Sequence, residues 1–273
     1  MTKAGWFVLI IIFLLVPGFI LFTRQRQDQT DITAGPTLIP TNSMMLKEDS
    51  GFEVSTGQVN YFENVKGFYA KPAASGNYPG VVMIHEWWGL NENIKDMAEK
   101  LAGEGYRVLA ADLYNGKIAA DATEARQLTG AINKEKALEN MIAAADYLRK
   151  EGSGKVASLG WCFGGGKSLE FSLSGEDLDA TVIYYGNLVS DEKELAKISW
   201  PVLGIFGDKD QSIPVSNVQD FEKSLNSLMI ENEIYIYPGV GHAFANPSGE
   251  SYAPEETKDA WDKTLTFFST NLK

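Results

Sequence analysis

From about Leu46 to the C-terminus, short apolar runs alternate with stretches of helical spacing, and this alternation constrains the fold more than any other feature. Gly80-Val81-Val82-Met83-Ile84-His85, Tyr106 to Ala111, Lys155 to Leu159, Ala180 to Tyr185, Val202 to Phe206 and Glu233 to Tyr237 read as strands. The first of these, apolar from Val81 to Ile84, suits a strand buried on both faces. Ile94, Met97, Ala98 and Leu101 share one face of a helix over Ile94 to Gly103. Helical patterns also cover Ala137 to Leu148, Val215 to Leu228 and Glu255 to Phe268. Val59 to Ala70 reads as an antiparallel pair or one bent strand, broken at Gly67. Together these predict an α/β fold, a mostly parallel sheet with helices on both faces.

The chain has 273 residues, with 36 acidic against 24 basic side chains and a formal net charge of −12. Such a balance disfavours phosphate-backbone binding, so no nucleic-acid partner is expected. A single cysteine excludes an internal disulfide and a Cys-rich zinc site, and two histidines leave little for a multi-His site. No metal and no cofactor is expected.

Residues 1–23 stand apart. Ala4 to Thr23 carries no charge and includes Trp-Phe-Val-Leu-Ile-Ile-Ile-Phe-Leu-Leu-Val from Trp6 onwards. As a helix it spans roughly 30 Å, the thickness of a bilayer hydrocarbon core. Pro17 and Gly18 can kink it, which membrane helices tolerate. A single N-terminal transmembrane helix is expected, with a cleaved signal peptide as the rival reading. Against the rival, the apolar run exceeds a usual h-region and no small-x-small site directly follows Phe22. Residues 24–45 are polar and read as a tether, leaving 46–273 as the α/β domain. Lys3 faces Arg24 and Arg26 across the span, so charge weakly orients it. The expected arrangement is membrane-anchored and single-pass, with the α/β domain outside the cytoplasm, or secreted if the segment is cleaved.

The sharpest local motif is Gly160-Trp161-Cys162-Phe163-Gly164, between the Lys155–Leu159 strand and a helix starting at Gly165-Gly166-Lys167-Ser168. It has the Gly-x-nucleophile-x-Gly form of a strand-to-helix elbow, with Cys as nucleophile. The sharp turn demands small flanking residues, and the Phe163 amide with the helix N-terminus offers positive potential to a thiolate and an oxyanion. A structural cysteine is the plainer alternative. A phosphate loop needs Gly at position 161, which is Trp, and a thioredoxin site needs a second Cys.

A nucleophilic thiol needs a base and a group to orient that base. His242 follows the last strand, and Asp210 follows the strand before it, with Asp208 as the competing acid. The order Cys162, Asp210, His242 is that of α/β-hydrolases, and all three fall at carboxyl ends of strands. His85-Glu86-Trp87-Trp88-Gly89 ends the Gly80 strand, in the loop that supplies the second oxyanion amide in this fold. His85 reads as structural. Glu86 falls near the elbow, and Trp87 and Trp88 could form a substrate wall.

These residues resemble the dienelactone hydrolase family from about Val59 to the C-terminus. The resemblance rests on His-Glu-x-x-Gly at 85–89, Ala111-Asp112-Leu113-Tyr114, Gly-x-Cys-x-Gly-Gly at 160–165, Gly-x-x-Asp-x-x-x-Pro at 207–214 and Gly-His-x-Phe at 241–244. It implies an α/β-hydrolase fold with a Cys162–His242–Asp210 triad, a glutamate, Glu86, that hydrogen-bonds the thiol, and oxyanion amides at Phe163 and Trp87. It implies no cofactor. Trp88, Tyr114, Lys117, Phe244 and Asn246 are the expected substrate contacts. The family's substrate-binding arginines are replaced here by Asn246 and by Asn115-Gly116, with Lys117 nearby. That departure predicts a preference for small neutral esters or lactones over an anionic lactone. The expected activity is ester or lactone hydrolysis. A thioesterase or acyl transferase using the same triad, or a catalytically silent membrane-tethered binding module, is the alternative.

Overall fold

A computed structural model describes residues 51–273. The expected membrane segment and tether lie outside the described residues. Among the described residues, no helix is long and apolar enough to cross a membrane.

The fold is an eight-stranded sheet flanked by helices. In chain order the elements are β1 (Val54–Phe62), β2 (Val65–Pro72), β3 (Gly80–Ile84), α1 (Glu92–Gly103), β4 (Arg107–Ala111), α2 (Ala122–Gly130), α3 (Lys134–Lys150), β5 (Val156–Trp161), α4 (Phe163–Ser172), β6 (Ala180–Tyr184), α5 (Glu192–Leu195), β7 (Val202–Gly207), α6 (Val215–Ser227), β8 (Asn232–Tyr237) and α7 (Pro254–Leu272). The strand order is β1-β2-β4-β3-β5-β6-β7-β8. From β4 through β8 every neighbouring pair is parallel, while β1 and β2 join antiparallel at one edge.

Alternation along each buried strand feeds two cores, because successive side chains point to opposite faces. Val81 and Met83 face Ile94, Ala98 and Leu101 of α1 and Trp261 and Phe268 of α7. Val82 and Ile84 face Met141 and Leu148 of α3 and Val218 and Phe221 of α6. Each fully buried side chain of this size stabilises the fold by roughly 1.5–3 kcal/mol relative to exposure.

The structure differs from the pattern reading at the β1–β2 hairpin and at α2, among other places. Residues 59–70 belong to a hairpin whose turn falls at Glu63-Asn64, with Glu63 at φ 45°. Gly67 sits inside β2, paired with Val59. A Cβ there would meet the Ala110 carbonyl oxygen at 2.9 Å, so glycine serves close approach to β4 and does not break the strand. Helix α2 was not anticipated, because Ala125 is its one buried residue and leaves no apolar stripe. Its start is fixed by Asp121, whose carboxylate accepts from the N–H groups of Thr123 and Glu124.

Candidate active site

Strand β5 runs into α4 through Cys162 alone. Cys162 has φ 54° and ψ −117°, a conformation costing on the order of 1–3 kcal/mol for a residue with a Cβ. The turn is tight enough that a Cβ on Gly164 would lie 2.3 Å from the Ile84 carbonyl oxygen. The Cys162 N–H donates to the Tyr184 carbonyl at 3.0 Å, tying the elbow to β6. Phe163 opens α4, where the first backbone N–H groups have no partner within the helix.

His242 lies beyond β8 and its Nε2 sits 3.1 Å from Cys162 Sγ. Its Nδ1 sits 2.8 Å from Asp210 Oδ2. Asp210, beyond β7, is buried, and its other oxygen accepts from the Ser212 and Ile213 N–H groups at 2.8 and 3.0 Å. Burial disfavours the Asp210 charge, but the hydrogen bonds from His242, Ile213 and Ser212 outweigh it and hold the pKa below the usual value. Burial likewise opposes a charge on His242, yet its bonds to Asp210 and Cys162 raise its pKa to about 10. Asp208, the competing acid, instead accepts from the Gly239 N–H at 2.7 Å and braces the turn after β8.

The β3 loop closes the other side. His85 is fully buried, its Nδ1 donating to the Glu86 carbonyl at 2.6 Å and its Nε2 accepting from Leu113 N–H at 3.1 Å. Both nitrogens are occupied, which is the structural role expected. Glu86 is also buried, and burial lifts its pKa to about 7 against the opposing pull of His242 and Asn246. Its hydrogen-bond partner is the Asn246 side chain at 2.5 Å, whereas the expected partner was the thiol. Trp87 and Trp88 are half-buried with ring centroids 5.0 Å apart.

The expected substrate contacts divide. Phe244 is 0% exposed, packed against Tyr185 and Tyr237 in the core, so it lines no pocket. Ala243, at φ 60°, turns the chain just before it. Lys117 is exposed and lines a groove with Gln58, Asn64 and Lys66 that contains none of Cys162, Glu86 or His242. Asn115 at φ 53° and Gly116 at φ 84° direct the chain outward there. Tyr114 is buried, and its hydroxyl donates to the Trp87 carbonyl at 3.1 Å, so it supports the loop from beneath. Asn246 is buried against Glu86. The pattern reading missed Tyr185, at φ 35°, whose ring lies 5.2 Å from the His242 ring, and Ser248, which holds Asn246. The end of the β6 run was the available signal for Tyr185, since sites of this fold gather at strand ends.

This sheet order, with a thiol at the elbow and a His–Asp pair at neighbouring strand ends, is the architecture of the α/β-hydrolase superfamily. The profile of the dienelactone hydrolase family matches residues 65–272. A protein of Saccharolobus solfataricus, provisionally named a carboxymethylenebutenolidase, is 33% identical over 227 residues, covering 68% of this chain and 87% of its own. Protein usf of Aquifex pyrophilus is 33% identical over 231 residues, covering 79% of this chain and 99% of its own. The crystal structure of a protein from Klebsiella pneumoniae subsp. pneumoniae, provisionally named a dienelactone hydrolase, aligns with a TM-score of 0.73 at 28% identity, covering 80% of this chain and 99% of that one. The chain belongs to the dienelactone hydrolase family, and it is an ester or lactone hydrolase.

Proposed function

We propose that the chain hydrolyses small esters or lactones through a covalent thioester on Cys162. The observation that carries this reading is the continuous line of contacts from Sγ to Nε2 at 3.1 Å and from Nδ1 to Asp210 at 2.8 Å. His242, its pKa raised to about 10, already holds the thiol proton on Nε2, so Sγ attacks as a thiolate and bonds to the substrate carbonyl carbon. The carbonyl oxygen becomes an oxyanion and accepts from the Phe163 and Trp87 backbone N–H groups, each donor worth about 2.7–4 kcal/mol in comparable sites. Asp210 accepts from Nδ1–H, holding the imidazole so that Nε2 is the nitrogen that takes and returns the proton. Collapse breaks the carbon–oxygen bond, and His242 returns the proton to the leaving alcohol. Water then attacks the thioester with His242 again as base, releasing the acid and restoring the thiol. The half-buried Trp88 and Trp87 rings are proposed as the apolar wall for the acyl or alkoxy group.

A chromogenic ester tests the reading. The full chain in detergent should turn it over, and alkylation of Cys162 should stop turnover. Rapid denaturation during turnover should trap the acyl mass on the Cys162 peptide. Full activity after complete alkylation would overturn the reading.

We further propose that residues 4–23 anchor the chain in a membrane, with the hydrolase domain on the outer side. The support is the uncharged apolar run itself. The full chain should then resist carbonate extraction from membranes, and recovery of a shortened soluble form from cells would favour a cleaved signal.

A further inference from the structure

A buried carboxylate needs donors, and the donor it takes determines what else it can reach. Glu86 is 3% exposed and accepts at 2.5 Å from the amide of Asn246, itself 5% exposed. The orientation of that amide is fixed from behind. Its Oδ1 accepts from the Ser248 N–H at 2.9 Å and from the Ser248 hydroxyl at 2.7 Å. Turning the amide over would set oxygen against the Glu86 carboxylate and NH2 against the Ser248 N–H. Ser248 therefore fixes Asn246, and Asn246 fixes Glu86. Across the site, Cys162 Sγ lies 3.1 Å from His242 Nε2. Glu86 and the thiol each have a partner of their own.

We propose that Asn246 is a positioning residue that holds Glu86 off the thiol, so that Cys162 stands paired with His242 and reactive before any substrate binds. The inference rests on the reading of Cys162 as the nucleophile. It is the reverse of a resting state in which Glu86 guards the thiol. The titratable groups that face Glu86 are His242, which favours its charge, and Tyr185, whose own hydroxyl is pushed up by burial and by Glu86 and Cys162. Cys162 faces His242, Tyr185 and Tyr114. Both tyrosines have raised pKa values, so they remain neutral at ordinary pH and leave Glu86 and His242 as the groups that set the thiol's surroundings.

Cys162 is the chain's only cysteine, so iodoacetamide labelling of the full chain in detergent reads it alone. In that reaction the thiolate sulfur bonds to carbon, iodide leaves and the thiol proton passes to solvent through His242. The wild type should label readily near neutral pH with no substrate present. Asn246→Ala should label about tenfold more slowly, the worth of one hydrogen bond to a charged group, because the released Glu86 turns towards the thiol. Adding Glu86→Ala to Asn246→Ala should restore the wild-type rate, which a general packing defect would not allow. Ser248→Ala keeps the amide but loosens it, and should slow labelling in the same direction, again reversed by Glu86→Ala; it serves if Asn246→Ala does not fold. Wild-type labelling rates in Asn246→Ala and Ser248→Ala, or slowing that persists without Glu86, would overturn the proposal. The parent reading fails separately, if the fully labelled chain still hydrolyses ester.

Discussion

Gly160 and Gly164 approach so closely across the elbow that a Cβ on Gly160 would lie 2.1 Å from the Gly164 carbonyl oxygen. The obstruction is backbone, which has no rotamer with which to yield. Gly160→Ala should therefore exceed the usual 1–3 kcal/mol of an overpacked core site and abolish activity with it. Gly130→Ala is the control, because a Cβ there meets nothing within 4 Å. Thermal melts of the two variants should separate clearly, and equal melts would refute the account of the turn.

The conformation of Cys162 makes a second prediction. Cys162→Ala removes the sulfur and should lower turnover by a factor of about 10⁴ or more, as in other nucleophile–base pairs. The alanine still carries a Cβ at φ 54°. Cys162→Gly removes that Cβ as well, and should be about 1 kcal/mol more stable than Cys162→Ala while equally inactive. Denaturant unfolding of the two variants measures the difference, and Ala as the more stable variant would contradict backbone strain at the nucleophile.

Much of this architecture was legible because the information is local. The β3 and β7 runs are apolar throughout since both their faces are covered, and the elbow glycines are dictated by the tight turn at Cys162. What escaped the pattern depends on chain direction or on distance. Phe244 follows His242 by two residues, and the sequence alone does not reveal that Ala243 adopts φ 60° and sends Phe244 into the core. Lys117 follows Tyr114 closely, but the intervening left-handed Asn115-Gly116 carries it to another surface. Glu86 and Asn246 lie 160 residues apart, and no periodicity couples them. The α2 pattern is silent because a helix burying one alanine has no face to display.

Asp210 offers a third test, of orientation against charge. Asp210→Asn preserves shape and the bonds from Ser212 and Ile213, but its amide can present NH2 to His242 Nδ1. The opposite tautomer is then favoured, with the proton on Nε2 where the base is needed. Turnover should fall by a factor of about 10⁴, as for the same change in a serine triad, while stability changes little by comparison. The fall should ease at high pH, where the thiolate forms without a base. A pH-independent loss would assign Asp210 to structure alone.

Glu86 provides the fourth, through the pH dependence of stability. Its folded pKa of about 7 lies above the ordinary value of 4.5 because burial disfavours the charged form. Between those values the folded protein holds a proton that the unfolded chain has released. Stability therefore falls as pH rises across that window, and the penalty is complete above about 7. At about 1.36 kcal/mol per pKa unit the loss is on the order of 3 kcal/mol, undiscounted because the side chain is buried. Glu86→Gln removes the titration and keeps an oxygen for the Asn246 amide. Its unfolding free energy should match the wild type near pH 4.5 to within the cost of the exchange, then exceed it increasingly towards pH 8. The His242 titration runs in both proteins and cancels to first order in the difference, apart from its attraction to the Glu86 charge, which the gap includes. Chemical denaturation across that range measures the gap directly. Parallel stability curves for the two proteins would mean that Glu86 ionises in the folded state as freely as in water.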